Sequence, residues 1–149
     1  MMFKAKHTCR LAENAADLTA AQALRHACFI ADTGATARLE GLDGDAFDDI
    51  CSHMLVEERG MGRLVATYRL MPLTSGAEIG RSYAAQYYDL EALRAYDKPM
   101  VEMGRFCIAP DIKDPDVLRV ALAAMTSYVD RTGVGMLFGC SSFQGNEPQ

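Results

Sequence analysis

The chain has 149 residues, half of them hydrophobic, and a formal net charge of −5. That length suits a single domain over residues 1–149, the apolar content supports a packed core rather than disorder, and the acidic balance excludes wholesale nucleic-acid binding. The five cysteines show no CxxC pair and no secreted-framework spacing, so they read as reduced, mostly buried thiols of a cytoplasmic protein.

Met1 to His7 carries lysines with no long apolar core behind them, which is not a signal-peptide pattern. No apolar run is long enough to span a bilayer. Lys6 to Ala12 reads as a first strand. Asn14 or Asp17 then caps a helix that runs to about Asp32 and ends at Gly34. Leu18, Ala21, Leu24, Cys28 and Ala31 give that helix one apolar face, and Arg25 and Phe29, four apart, share a side of it.

Thr36 to Asp49 reads as a loop, with Asp43, Asp45, Asp48 and Asp49 around Phe47. It is not a calcium loop, because a ligand position falls on Phe47 and no late bidentate Glu follows. A solvated acidic loop and a carboxylate cluster for a cationic substrate both remain open. Ile50 to Glu58 and Leu64 to Met71 read as a hairpin around Arg59-Gly-Met-Gly62, with Arg69 near its end and Pro72 as the stop. Ser82 to Tyr96 reads as helix-like through Ala84, Tyr87, Tyr88, Leu90, Leu93 and Tyr96, the tyrosines either packing or walling an apolar channel.

Val101 to Pro110 is the clearest strand, yet it contains Glu102 and Arg105. Both are costly to bury unless each has a partner or a task. Asp114-Pro115 starts a helix that runs to Arg131 on a stripe of Val117, Leu118, Ala121, Leu122, Met125 and Val129, and Thr132-Gly133 closes it. Val134 to Phe143 is a last strand. The order β, α, β-hairpin, helix, β, α, β predicts a mixed α/β (α+β) fold with a central mixed sheet flanked by helices.

That order resembles the GNAT-like acyltransferase fold. Leu24-Arg25-His-Ala-Cys-Phe29, the Asp43/Asp45/Asp48 loop, Thr67-Tyr-Arg69-Leu and Glu102-Met-Gly-Arg105 resemble the acyl-homoserine lactone synthases. Cys51-Ser-His53-Met-Leu-Val, Glu102 to Asp111 and Phe138-Gly-Cys-Ser-Ser-Phe143 more closely resemble the ornithine N-acyltransferases that begin ornithine-lipid synthesis. The resemblance runs from Arg10 to Gly145 and implies transfer of a (3-hydroxy)acyl chain from acyl carrier protein to the α-amine of ornithine. No permanently bound cofactor is implied, the acyl carrier protein thioester being a co-substrate. No metal is implied either, given three scattered histidines.

The resemblance also implies roles. Glu102 is the candidate base, directly or through one water, or else it positions the amine. Backbone N–H groups near Phe106 and Cys107 are candidates to stabilise the thioester oxyanion, as the central-strand bulge of this fold does. Asp43, Asp45 and Asp48 are candidates for the cationic acceptor, with Phe29 beside them. Arg25, Arg69 and Arg105 either order the acidic loop or bind the acceptor carboxylate. A covalent route through Cys107 or Cys140 is disfavoured, since both lie in apolar strands with no recognisable histidine partner.

Two departures stand out. Ala109-Pro-Asp-Ile-Lys-Asp-Pro115 has no glycine where coenzyme-A-using members wrap a pyrophosphate, and its two prolines remove donors. That favours a carrier-protein donor, for which Lys113 and Arg119 are candidate contacts, unless they are simply exposed. The chain is also expected to lack the last strands and helices of the family, which leaves the final strand short of a neighbour and a homodimer through it as one expectation. Peripheral contact with the inner membrane is a further expectation. Two other functions stay open: autoinducer synthesis with S-adenosylmethionine as acceptor, and a non-catalytic domain that binds a carrier protein, an acyl chain or another partner.

Overall fold

The computed structural model describes residues 6–30 and 44–139. Strand β1 (His7–Leu11) leads into helix α1 (Ala15–Arg25), which continues as a single π-helical stretch, His26–Ile30. A 3₁₀ turn (Ala46–Ile50) precedes β2 (Ser52–Glu58) and β3 (Leu64–Leu73). Strand β4 (Met100–Ile108), helix α2 (Asp116–Thr132) and β5 (Met136–Gly139) follow. The strands form one sheet in the order β1-β2-β3-β4-β5, antiparallel throughout except for the parallel pair β4-β5. The mixed sheet with helices is therefore as expected from the element order.

Local chemistry explains the boundaries. The Asn14 side chain, not that of Asp17, caps α1 by accepting from the Asp17 N–H at 2.8 Å, while Asp17 binds Arg10. At α2, Asp114 accepts from the Asp116 N–H, and Gly133 closes the helix at φ 71°. Helix α2 lays Val117, Ala121 and Met125 on Met54, Val56, Tyr68, Leu70 and Val101. The alternating residues His53, Leu55, Thr67, Arg69 and Met71 face the other way, towards α1. That second face holds the buried Arg25, Asp48, His53, Arg69 and Glu102.

Two expectations fail. Pro72 does not stop β3, which runs on to Leu73 with Pro72 opposite Val101. The β2 ladder ends at Ser52 opposite Leu70, so Pro72 has a strand neighbour on one side only, where a missing N–H is tolerated. Ser82 to Tyr96 is not one helix but short 3₁₀ turns, Ala84–Gln86 and Glu91–Leu93. The Asp89 carboxylate captures the Glu91 N–H, a local turn that competes with helix propagation, and Tyr87 and Tyr88 are exposed. The segment is tied down instead at Gly76, whose N–H donates to the Tyr96 carbonyl at 2.7 Å. The expected ends of α1 at Asp32 and Gly34, and of the last strand at Phe143, lie outside the described residues.

Candidate active site

Asp48 is the anchor of the buried polar face. It follows Asp45, which caps the 3₁₀ turn by accepting from the Phe47 N–H at 3.0 Å. Arg25 reaches from α1 and binds both Asp48 oxygens, at 2.8 and 3.1 Å. Gln22, one turn earlier on α1, adds a third contact at 2.9 Å. Arg69 of β3 donates to Asp48 at 2.8 Å and to both oxygens of Asp45 at 2.7 and 3.1 Å. His53 donates to the Asp48 carbonyl at 2.9 Å. Arg25, Arg69 and Asp48 are each under 5% exposed.

A buried pair survives only when its hydrogen-bonding capacity is met, and here it is met on both sides. Burial opposes the Asp48 charge, but Arg25, Gln22 and Arg69 together hold its carboxyl well below the usual range. Burial likewise opposes the charge of Asp45, and Arg69 with the more distant Arg105 keeps it lowered. Burial also works against the Arg69 charge, and Asp45 and Asp48 overcome it, raising the guanidinium pKa. Of the roles open to the arginines, Arg25 and Arg69 have the geometry of loop ordering. Asp43 lies outside the described residues.

The arginines also stack. Arg69 lies 5.6 Å from the Phe47 ring centre and 5.4 Å from that of Tyr83. Arg105 lies 5.5 Å from the Tyr83 ring centre and 5.3 Å from that of Phe29. The sequence Phe29, Arg105, Tyr83, Arg69, Phe47 thus alternates rings and cations, an arrangement that favours both by cation–π attraction. Burial and a hydrogen bond with Tyr87 push the Tyr83 phenol up, against the pull of the two arginines.

Glu102 is tied to this stack through the Tyr83 backbone. It is 4% exposed, and its carboxylate oxygens accept from the backbone N–H groups of Tyr83 and Ala84, each at 2.8 Å. Each oxygen has a second lone-pair direction, so the group retains acceptor capacity. Just beyond it, the β3-β4 register shifts. Arg105 and Phe106 together oppose Tyr68, between the pairs Arg69↔Gly104 and Thr67↔Cys107. This is a β-bulge, in which the extra residue leaves the ladder. Arg105 takes φ 51°, the left-handed region where a side chain costs energy. Backbone strain of this kind clusters at functional sites, and here it lies three residues from a buried carboxylate on the same strand.

The site thus joins Arg25, Phe29, Asp45, Asp48, Arg69, Glu102 and Arg105, while Phe106 contributes only backbone at the bulge, its ring being stacked on Tyr68 on the α2 face. Cys107 is buried in β4 next to the bulge. Lys113 and Arg119 lie elsewhere, around the β4-α2 connection, and Arg119 is paired with Asp116. Sequence reading missed Tyr83, Gln22 and the Tyr83–Ala84 backbone. Gln22 was legible in principle, three residues before Arg25 on one helix face. Cys9 and Cys51 are free thiols, and burial pushes the Cys51 thiol up to about 11.

The β4-α2 connection fits a coenzyme A pyrophosphate poorly. The first N–H groups of α2, at Asp116 and Val117, are taken by the side chain and carbonyl of Asp114. The connection also carries carboxylates, Asp111 paired with Arg63 at 2.7 Å and Asp114 with Lys6 at 3.6 Å. A diphosphate placed there meets few open donors at the start of α2 and has carboxylates beside the local cations.

The profile of the acetyltransferase (GNAT) domain family matches residues 24–123. An L-ornithine N(alpha)-acyltransferase of Rhodobacter capsulatus is 35% identical over 147 residues, covering 93% of this chain and 57% of that protein. The protein of the same name from Brucella abortus is 32% identical, covering 93% of this chain and 53% of that one. The chain therefore spans about half the length of the curated relatives it matches. Among solved structures, the AHL synthase LasI superposes with a TM-score of 0.59 at 16% identity, over 88% of this chain and 70% of that one. A putative N-acetyltransferase from Lactobacillus plantarum gives 0.57 at 20% identity, over 85% and 69%.

Proposed function

This chain belongs to the acetyltransferase (GNAT) domain family, and from that premise we propose that it serves N-acylation of the ornithine α-amine by an acyl carrier protein thioester. The observation that carries the reading is the adjacency, on one strand, of the buried Glu102 carboxylate and the Arg105–Phe106 bulge. The names of the curated relatives supply the acceptor. The poor fit of the β4-α2 connection to a pyrophosphate favours a carrier-borne donor over coenzyme A.

In this reading the ornithine α-ammonium approaches Glu102 and loses a proton to it, directly or through one water, because an ammonium has no lone pair to attack with. The amine nitrogen adds to the thioester carbonyl. The oxyanion that forms is met by backbone N–H groups at Phe106 and Cys107 in the bulge. Collapse breaks the C–S bond, and the departing thiolate takes up a proton as the amide forms. Asp45, only partly buried, is the carboxylate of the acidic loop best placed to meet the cationic side chain of the acceptor. Asp48 and Arg25 hold that loop in position, and Arg105 with Phe29 borders the acceptor. The chemistry belongs in the cytoplasm, with the four described cysteines reduced.

A product assay tests this. The chain is mixed with 3-hydroxyacyl carrier protein and ornithine, other amino acids or S-adenosylmethionine, and products are read by mass spectrometry. N-acyl-ornithine is expected. Acyl-homoserine lactone would instead assign the autoinducer reaction, and no product from a folded chain would count against catalysis by this stretch of sequence.

A further inference from the structure

Strand β4 carries Glu102 and Arg105 three residues apart, and a strand's period of two would send them to opposite faces. The bulge breaks that alternation. Met103 and Phe106 pack towards α2, whereas Glu102 and Arg105 both meet Tyr83. We propose that Tyr83 is a positioning residue for the acceptor, its ring aiming the Arg105 guanidinium at the carboxylate of the α-amino acid whose amine meets Glu102. The proposal rests on the N-acylation reading above and adds the residue through which an α-amino acid is told from a plain amine.

Tyr83 is fixed from both ends of its backbone. Its N–H donates to Glu102 at 2.8 Å, and its carbonyl accepts from the Gln86 N–H at 3.2 Å. Ser82 and Ala84 on either side are buried, and the Ser82 hydroxyl donates to the Ile79 carbonyl at 2.8 Å. The ring itself is braced by Phe47, edge to face at 5.5 Å, and by Tyr87 at 5.4 Å. A ring held in this way offers a stationary surface to a long side chain. Arg105 lies on it and takes Phe29 as a second ring.

The three arginines of the site divide their work. Arg25 and Arg69 donate to Asp48 and Asp45 and so order the acidic loop. Arg105 is held by rings. Rings engage the faces of a guanidinium and a carboxylate meets its edge, so stacking and carboxylate recognition coexist. An α-amino acid carries its carboxylate one carbon from its amine. It therefore needs a cation close to the group that receives its ammonium, and Tyr83 locates both, Glu102 through its backbone and Arg105 through its ring. Ordering an arginine costs rotamer freedom, and a ring that orders it beforehand lowers what the acceptor must supply.

The test compares Tyr83→Leu and Tyr83→Met, which remove the ring but keep the backbone N–H, with Tyr83→Phe, which keeps the ring. Melting checks each fold. Acyl transfer is measured to ornithine and to its carboxamide, which retains both amines without the carboxylate charge. The ringless variants should raise the KM for ornithine about tenfold or more and lose the preference for ornithine over the carboxamide to the same degree. The KM for the acyl donor should not move, and Tyr83→Phe should bring the ornithine KM back to within about twofold of wild type. An unchanged ornithine KM, equal losses with both acceptors, a wild type that does not prefer ornithine, or a phenylalanine variant as poor as leucine would overturn the proposal. If the wild-type chain makes no product at all, the functional reading fails, and calorimetric titration with ornithine decides the positioning role separately. Binding weakened without the ring and kept by Tyr83→Phe supports it, and no wild-type binding overturns it.

Discussion

Asp48→Asn is the sharpest perturbation of this architecture. It keeps the shape of the side chain but removes the charge that both Arg25 and Arg69 share, and it turns an NH₂ group towards one of them. Arg25 is 1% exposed, so it cannot recover its loss from water. Breaking a buried pair by deleting one partner costs about 3–5 kcal/mol. Against a typical domain stability of about 5–15 kcal/mol, that is a large fraction. With a urea m-value of about 2 kcal/mol/M, the unfolding midpoint should fall by roughly 1.5–2.5 M. Asp45→Asn is the control: its carboxyl is a quarter exposed and Arg69 would keep Asp48, so its cost should stay below about 1 kcal/mol. The acid limb gives a second readout. Asp48 has a lowered folded-state pKa, so its stabilisation is complete above the ordinary carboxylate value near about 3.9 and is lost as pH falls below it. Asp48→Asn should flatten that limb. A midpoint within about 0.5 M of wild type, or an equal loss in Asp45→Asn, would refute the reasoning.

Other substitutions separate strain, chemistry and support. Arg105→Gly relieves a left-handed side-chain cost of about 1–2 kcal/mol while deleting the guanidinium stack, so melting should change little while acyl transfer falls at least tenfold. Equal loss of both would mean that the bulge depends on the arginine. Cys107→Ser should retain acyl transfer and form no acyl-enzyme; a stable adduct on Cys107 seen by mass spectrometry would overturn the direct route. Gly76→Ala places a methyl group against the backbone carbonyls of Leu93 and Tyr96. It should destabilise the segment that delivers the Tyr83 and Ala84 N–H groups to Glu102, by roughly 1–3 kcal/mol in urea unfolding.

The strands, both helices and most of the site were legible because their signals are local. Glu102 and Arg105 stood out as charges inside an apolar strand, and Arg25 shares a helix side with Phe29. What was not legible depends on partners distant in sequence. Glu102 binds backbone N–H groups, which no side-chain pattern advertises, and so Tyr83 went unnoticed inside a segment misread as helix. Apolar spacing at 84, 87, 88, 90, 93 and 96 fits a helix, but the Asp89 turn breaks it. Pro72 looked like a stop because it lacks an N–H, but the β2 ladder ends before it, so no donor is needed on that side. The bulge was implied only by family resemblance, because a left-handed arginine leaves no mark in sequence.

The central claim is that Glu102 serves proton removal at a site built for N-acylation. The direct measurement is the rate of N-acyl-ornithine formation by wild type and Glu102→Gln, with melting recorded for both. Glutamine retains one carbonyl oxygen for the Tyr83 or Ala84 N–H, so the fold should survive. The account predicts a folded variant with kcat lowered about 10²–10⁴-fold. A folded variant with wild-type kcat would contradict it.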